Sequence, residues 1–228
     1  INANFTLSLV TNTFTLTAGT LTVNNGANIT CGGFNSSVAN ARAINMGSGT
    51  WNLTGTGTIW NMGSGASVTM NSQQSRILIN NTASPASTTT FSGGGLVYYI
   101  LEHARGSSTA SFNLSGNNTF ANFIDNTSTA AHTISLTSGS TQTFYKFNVR
   151  GSAGALVTIA RSSTTVATVV KAGQGIVPYC DYVSATSTTT ATPANTWYLG
   201  ANGSVGGGGW IVGSAPSSQS LLGAGGVG

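Results

Sequence analysis

Glu102 and Asp125 lie 23 positions apart and are two of the chain's 3 acidic residues, Asp181 being the third. A glycan-cleaving site needs a pair of carboxyl groups, one to give a proton and one to act as base or nucleophile. Two carboxylates held side by side repel, and one then keeps its proton to higher pH, as a general acid must. The same column on the neighbouring repeats reads Ile79 and Val149, so no further acid reinforces the pair. The competing reading makes Glu102 and Asp125 corner residues, hydrogen-bonded to turn amides or to Arg105. His103 and His132 stand without a Cys or carboxylate cluster at ligand spacing, so neither a metal nor another cofactor is expected. No Gly-x-Ser-x-Gly elbow accompanies a His/Asp pair, and the Gly-rich stretches lack a phosphate-loop lysine. The expectation is a protein that is not an enzyme, with Glu102 and Asp125 as its sole catalytic candidates.

Alignment of those two acids would depend on a repeat. Asn4-Phe5-Thr6, Asn28-Ile29-Thr30 and Asn52-Leu53-Thr54 follow one another every 24 positions. An apolar column continues through Ile77, Ile100, Phe123 and Phe147, and a second runs through Leu21, Ile44, Val68, Phe91, Leu114, Leu136 and Ile159. Small polar residues flank both columns, the alternation of strands with one face buried. Asn71, Gly94, Asn117 and Gly139 each follow a second-column residue by three positions, and Gly and Asn accept the positive φ of tight corners. Fixed-period self-similarity marks a stacked repeat. The spacing therefore predicts an all-β chain, a parallel β-helix or β-solenoid of right-handed coils about 23 residues long. Seven coils at about 4.8 Å each give roughly 30 Å of stack. A leucine-rich repeat lacks its consensus here. The alternative is a β-sandwich, which gives no reason for two columns to keep register.

Charged residues make up 4% of the 228, and the net charge of +4 reflects missing acids rather than a basic patch, because the 7 basic residues are scattered. Clustered Lys and Arg with interleaved aromatics are absent, so nucleic acid is not an expected partner. No apolar run reaches the ~18 residues of a membrane span. The chain opens on Ile1, which suggests a processed product or a fragment. Cys31 and Cys180 fall on distant coils and are expected to be free, buried thiols.

Residues 1–160 read as the regular solenoid and 161–212 as irregular terminal coils, with strand-like stretches at Val166–Val170 and Tyr179–Val183. The latter segment ends in a cap bearing Trp197 and Trp210, two strands joined by the turn Gly206–Gly209, that covers the open end of the stack as repeat proteins require. Residues 213–228 form a Ser/Gly/Ala tail with an apolar anchor at Leu221-Leu222. The residue after the first column changes from Thr to Leu78, Leu101 and Ile124 on three successive coils, rimmed by Arg76, Tyr99, Asn122 and Lys146. Such an apolar stripe on an otherwise polar face is expected to dock a neighbouring subunit or a second protein.

Gly116–Phe123, Thr141–Ile159 and Trp197–Ile211, with Cys180-Asp181-Tyr182 between the last two, resemble segments of the repetitive β-helical proteins encoded by tailed bacteriophages and occasionally by bacteria. The likeness spans roughly two thirds of the chain; the Gly-rich turn after Ser204 departs from it. The resemblance implies structural material of an extracellular virion: a capsid-surface decoration or a tail fibre or other appendage. Its partners would be other virion proteins, copies of itself and host-surface glycans met by outward Tyr99 or Tyr145. A bacterial cell-surface adhesin domain is the second expectation, and a β-helical polysaccharide lyase or hydrolase is the third.

Overall fold

The structure is a computed structural model that describes residues 1, 3–6, 12–63, 65–81, 86–127, 129–173, 175–177, 180–186, 189–205 and 208–216. The described residues form strands and no helix, so none of them forms a helix long and apolar enough to cross a membrane. The strands pair in parallel, each with its counterpart one coil before and one coil after, and the chain is a β-solenoid.

One nine-stranded sheet stacks Phe5–Thr6, Ile29–Cys31, Thr50–Leu53, Arg76–Ile79, Val97–His103, Thr119–Asp125, Thr141–Val149, Ala167–Lys171 and Thr189–Thr192. A second, also nine-stranded, runs from Thr13–Thr15 through Gly57–Asn61, Thr89–Ser92, Phe112–Ser115, His132–Leu136 and Val157–Arg161 to Ser204–Val205. A third sheet, Gly19–Thr22, Arg42–Asn45 and Val68–Asn71, closes only the first three coils. Beyond it the first-sheet strands lengthen from 4 residues in Arg76–Ile79 to 7 in Val97–His103 and 9 in Thr141–Val149. Both large sheets continue past residue 160, so the stack itself does not end there. The expected strand from Tyr179 begins outside the described residues, and the strand there is Val183–Ala185.

Alternation places apolar side chains inside, and the interior is a continuous ladder of rings. It runs from Phe14 to Phe34 (5.6 Å between centroids), Trp60 (4.8 Å), Phe91 (5.9 Å) and Tyr98 (4.9 Å). It continues to Phe120 (5.6 Å), Phe144 (5.5 Å), Phe147 (4.9 Å), Trp197 (5.4 Å) and Trp210 (5.3 Å). These separations are those at which ring edges and faces attract beyond their burial.

Corners are tied from coil to coil by amides. Asn4 Oδ1 accepts the backbone N–H of Asn28 at 3.0 Å, and Asn28 Oδ1 accepts that of Thr50 at 2.7 Å. Buried Asn118 takes the Gly95 N–H on Oδ1 and donates to Gln142 Oε1 at 3.1 Å. Gly94 and Gly139 adopt the expected positive φ, +67° and +72°. At the other two corners the left-handed residue is a neighbour: Gln73 (φ +46°) after Asn71, and Gly116 (φ +89°) before Asn117. Gly55 shows why the corners are small, since a Cβ there would strike the Gly32 carbonyl of the coil below.

Candidate functional site

His103, Asp125 and His132 form the densest chemistry inside the stack. Leu101 pairs with Phe123 and Glu102 with Ile124, so the next inward position sets His103 against Asp125. His132 opens the second-sheet strand of the Asp125 coil. Asp125 Oδ2 meets His103 Nδ1 at 2.9 Å and His132 Nε2 at 2.8 Å. All three are buried, as is Arg105, whose Nη1 donates to Thr89 Oγ1 at 3.3 Å. The His103 ring lies flat on Phe112, centroids 4.7 Å apart.

Proton positions follow from the acceptors. His132 Nε2 faces Asp125, and its Nδ1 faces the Ala130 carbonyl at 3.3 Å. Both nitrogens face oxygens, an arrangement that favours the doubly protonated ring. Burial opposes that charge, but the bonds to Asp125 and Ala130 and the carboxylate's charge raise the His132 pKa, against a smaller opposing effect of Arg105. Burial likewise opposes the Asp125 carboxylate; hydrogen bonds and charge from both histidines outweigh it and hold Asp125 down at about 2. His103 Nδ1–H donates to the same oxygen, which leaves His103 Nε2 buried without a hydrogen-bond partner.

The sequence reading kept these histidines away from any ligand cluster; the structure corrects it, bringing one donor atom from each of the three within 4.8 Å of one another. Two nitrogens and one oxygen are a donor set that zinc and similar ions accept. The fit to a divalent cation is poor, however. Asp125 Oδ2 already holds one nitrogen of each histidine, and Arg105 adds a buried positive charge close enough to depress His132. The arrangement works as an internal ion-pair staple across three strands.

Glu102 and Asp125 are not side by side. Register sets Glu102 beside Ile124, and successive strand residues face opposite sides of a sheet. Asp125 points into the core, while Glu102 points out and pairs with Arg76 Nη2 at 2.6 Å. The two-carboxylate constellation is therefore not assembled.

The stripe Leu78, Leu101 and Ile124 changes for the same reason. Leu101 is 0% exposed and packs inward; the outer row reads Leu78, Glu102, Ile124, Asn148. Beside it runs Arg76, Ile100, Asn122, Lys146. Where the long strands bend, Tyr99, Ala121 and Tyr145 make a further outward row, flanking a groove of about 310 Å³ with Ile100, Asn122 and Lys146. Trp197 and Trp210 pair in parallel and extend the ring ladder. The expected turn between them lies partly, and Leu221-Leu222 wholly, outside the described residues. Cys31 and Cys180 are free and buried, and burial raises their thiols to about 11 and about 12.

Sequence reasoning missed the staple because it counted ligand spacing along the chain. A usable signal was present: Asp125 stands two positions after Phe123, on the inward side, in a column that reads Leu53, Ile79, His103, Asp125 and Val149, so two adjacent polar members interrupt an apolar run. No protein-family model, curated protein or solved structure matches this chain.

Proposed function

We propose that the chain is a non-enzymatic structural protein of a tailed-phage virion, a β-solenoid module on the capsid surface or a tail appendage, with its outer face turned to host-surface glycans. The observation that carries this reading is the unbroken parallel stack, two nine-stranded sheets around one ladder of rings. Such a stack satisfies backbone groups coil by coil and resists proteolysis, which suits a mechanical role outside the cell. Other virion proteins and copies of itself are its partners.

The resemblance of Thr141–Ile159 and Trp197–Ile211 to phage β-helical proteins supports the virion over the second reading, a bacterial adhesin domain. A polysaccharide lyase or hydrolase loses its support, because Glu102 and Asp125 face opposite sides of one sheet. The test is mass spectrometry and electron cryo-microscopy of purified particles. Symmetric copies of the chain are expected on the particle. Its absence there, with recovery of the sequence inside a longer wall-anchored polypeptide, would favour the adhesin and overturn the virion reading.

A further inference from the structure

Among the described residues, Tyr99 and Tyr145 are two of the few large apolar side chains left exposed, at 38% and 56%, and Ala121 stands between them in the row. They are two strands apart, about 9.6 Å at ordinary strand spacing, so the small alanine floors a slot one ring wide. At this bend each strand turns two successive residues outward: Tyr99 and Ile100, Ala121 and Asn122, Tyr145 and Lys146. One side of the slot is therefore Ile100, Asn122 and Lys146, two of the three polar. Asn122 Oδ1 has no hydrogen-bond partner and is screened from water, while Lys146 is exposed beside it. Glu102, the acid of the neighbouring outer row, is engaged by Arg76, which leaves the slot positive.

We propose that this slot binds a carboxylated pyranose residue of an extracellular polysaccharide, a uronic or sialic acid. The tyrosine rings take the C–H face of the sugar, as aromatic side chains serve apolar surfaces with a wet edge. With its side chain turned into the slot, Asn122 accepts a ring hydroxyl on the Oδ1 that otherwise lacks a partner, and the Lys146 ammonium pairs with the carboxylate. A protein partner fits less well: the slot offers six residues, whereas a stable protein interface takes about 20–30 on each side. The inference deepens the proposed contact with host glycans and rests on that reading. It is tested on the isolated chain, so it can fail while the chain is still found on particles.

Isothermal titration with a hyaluronan hexasaccharide and a sialic acid hexamer, with maltohexaose as the uncharged control, provides the test. At least one acidic oligomer is expected to bind with a Kd below about 1 mM and maltohexaose far more weakly. Tyr145→Ala should weaken binding at least about tenfold, and Lys146→Gln should remove the preference for acid, both without changing the melting temperature. Failure of both acidic oligomers to bind, equal binding of maltohexaose, or unaltered binding by Tyr145→Ala overturns the proposal. So does a changed sedimentation coefficient for Tyr145→Ala without any sugar binding, which would make the slot a contact between copies.

Discussion

Trp60 and Asp125 are each 0% exposed and occupy inward positions of the same stack, yet different forces hold them. Around Trp60 the contacts are rings: Phe34 at 4.8 Å, Trp51 at 5.6 Å, Phe91 at 5.9 Å and Tyr98 at 6.1 Å. Its single polar atom is satisfied by the Tyr98 hydroxyl at 3.1 Å. Around Asp125 the contacts are charges and hydrogen bonds within 2.9 Å. An apolar ladder loses stability in proportion to what is removed and does so at every pH. A buried ion pair gives little net stability when whole and much instability when half of it is removed. A solenoid can thus be uniform in backbone and quite uneven in how it answers to mutation and to pH.

The largest effect is expected on the apolar side. Trp60→Ala should destabilise the fold by about 5 kcal/mol, the upper end for large-to-small core changes, because four rings lose a neighbour at once. Chemical denaturation at pH 5 and pH 8 should return the same loss. A loss that depended strongly on pH would mean that the ladder and the staple are one cooperative unit.

Asp125→Asn comes next, at about 3 kcal/mol near neutral pH. The amide keeps the shape but leaves His132, whose pKa the carboxylate raises, without its buried counter-charge. A loss below about 1 kcal/mol would show that His132 simply gives up its proton and the staple is dispensable.

The pH profile separates the two regions further. The raised His132 pKa gives stability that is complete below the ordinary histidine value of about 6.5 and is lost as pH rises through the raised folded value. The depressed Asp125 pKa gives stability that is present above about 4 and is lost as pH falls through its folded value of about 2. Melting temperature should therefore decline on both sides of a mildly acidic plateau. Asp125→Asn should flatten both declines, and Trp60→Ala should leave them in place at a lower temperature. A wild-type profile flat from pH 5 to 9 would remove the imidazolium from the account.

The architecture was legible in the sequence because stacking averages over many coils, whereas the site depended on single positions. True neighbours are spaced unevenly: Ile29 pairs with Trp51 and Trp51 with Ile77, 22 and 26 positions on. A column drawn at a constant period therefore took Leu53 in place of Trp51 and Ile100 in place of Leu101. The first slip preserves the face, and the second reverses it, which is how Leu101 came to be expected outside. The second column also crosses sheets: Leu21 and Ile44 belong to the short third sheet, and Phe91, Leu114 and Leu136 to the second. Both are apolar and inward, so the pattern could not reveal the change. The staple was hidden because Asp125 and His132 meet across a corner whose length no periodicity fixes. The recurring Asn4 and Asn28 of the first repeats hold the backbone of the next coil.

Glu102→Gln is the smallest change and the sharpest comparison, because it alters the same chemical group as Asp125→Asn one coil earlier. The carboxylate it removes lies on the outer face, partly covered with 12% of its side-chain surface in water, but its partner Arg76 at 2.6 Å keeps 39% in water. Water reaches that pair from the Arg76 side, and holding two long side chains together has an entropic cost, so a pair at the surface is worth about 0.2–1 kcal/mol. Glu102→Gln should fall in that range, weaken with added salt, and leave the pH profile of melting as it is. A loss near that of Asp125→Asn would mean that the outer row is shielded from water in the working protein, covered by a neighbouring copy or another chain. A small, salt-sensitive loss would fix the difference between the two acids on their sides of the sheet, since sequence separation and residue type offer nothing else to distinguish them.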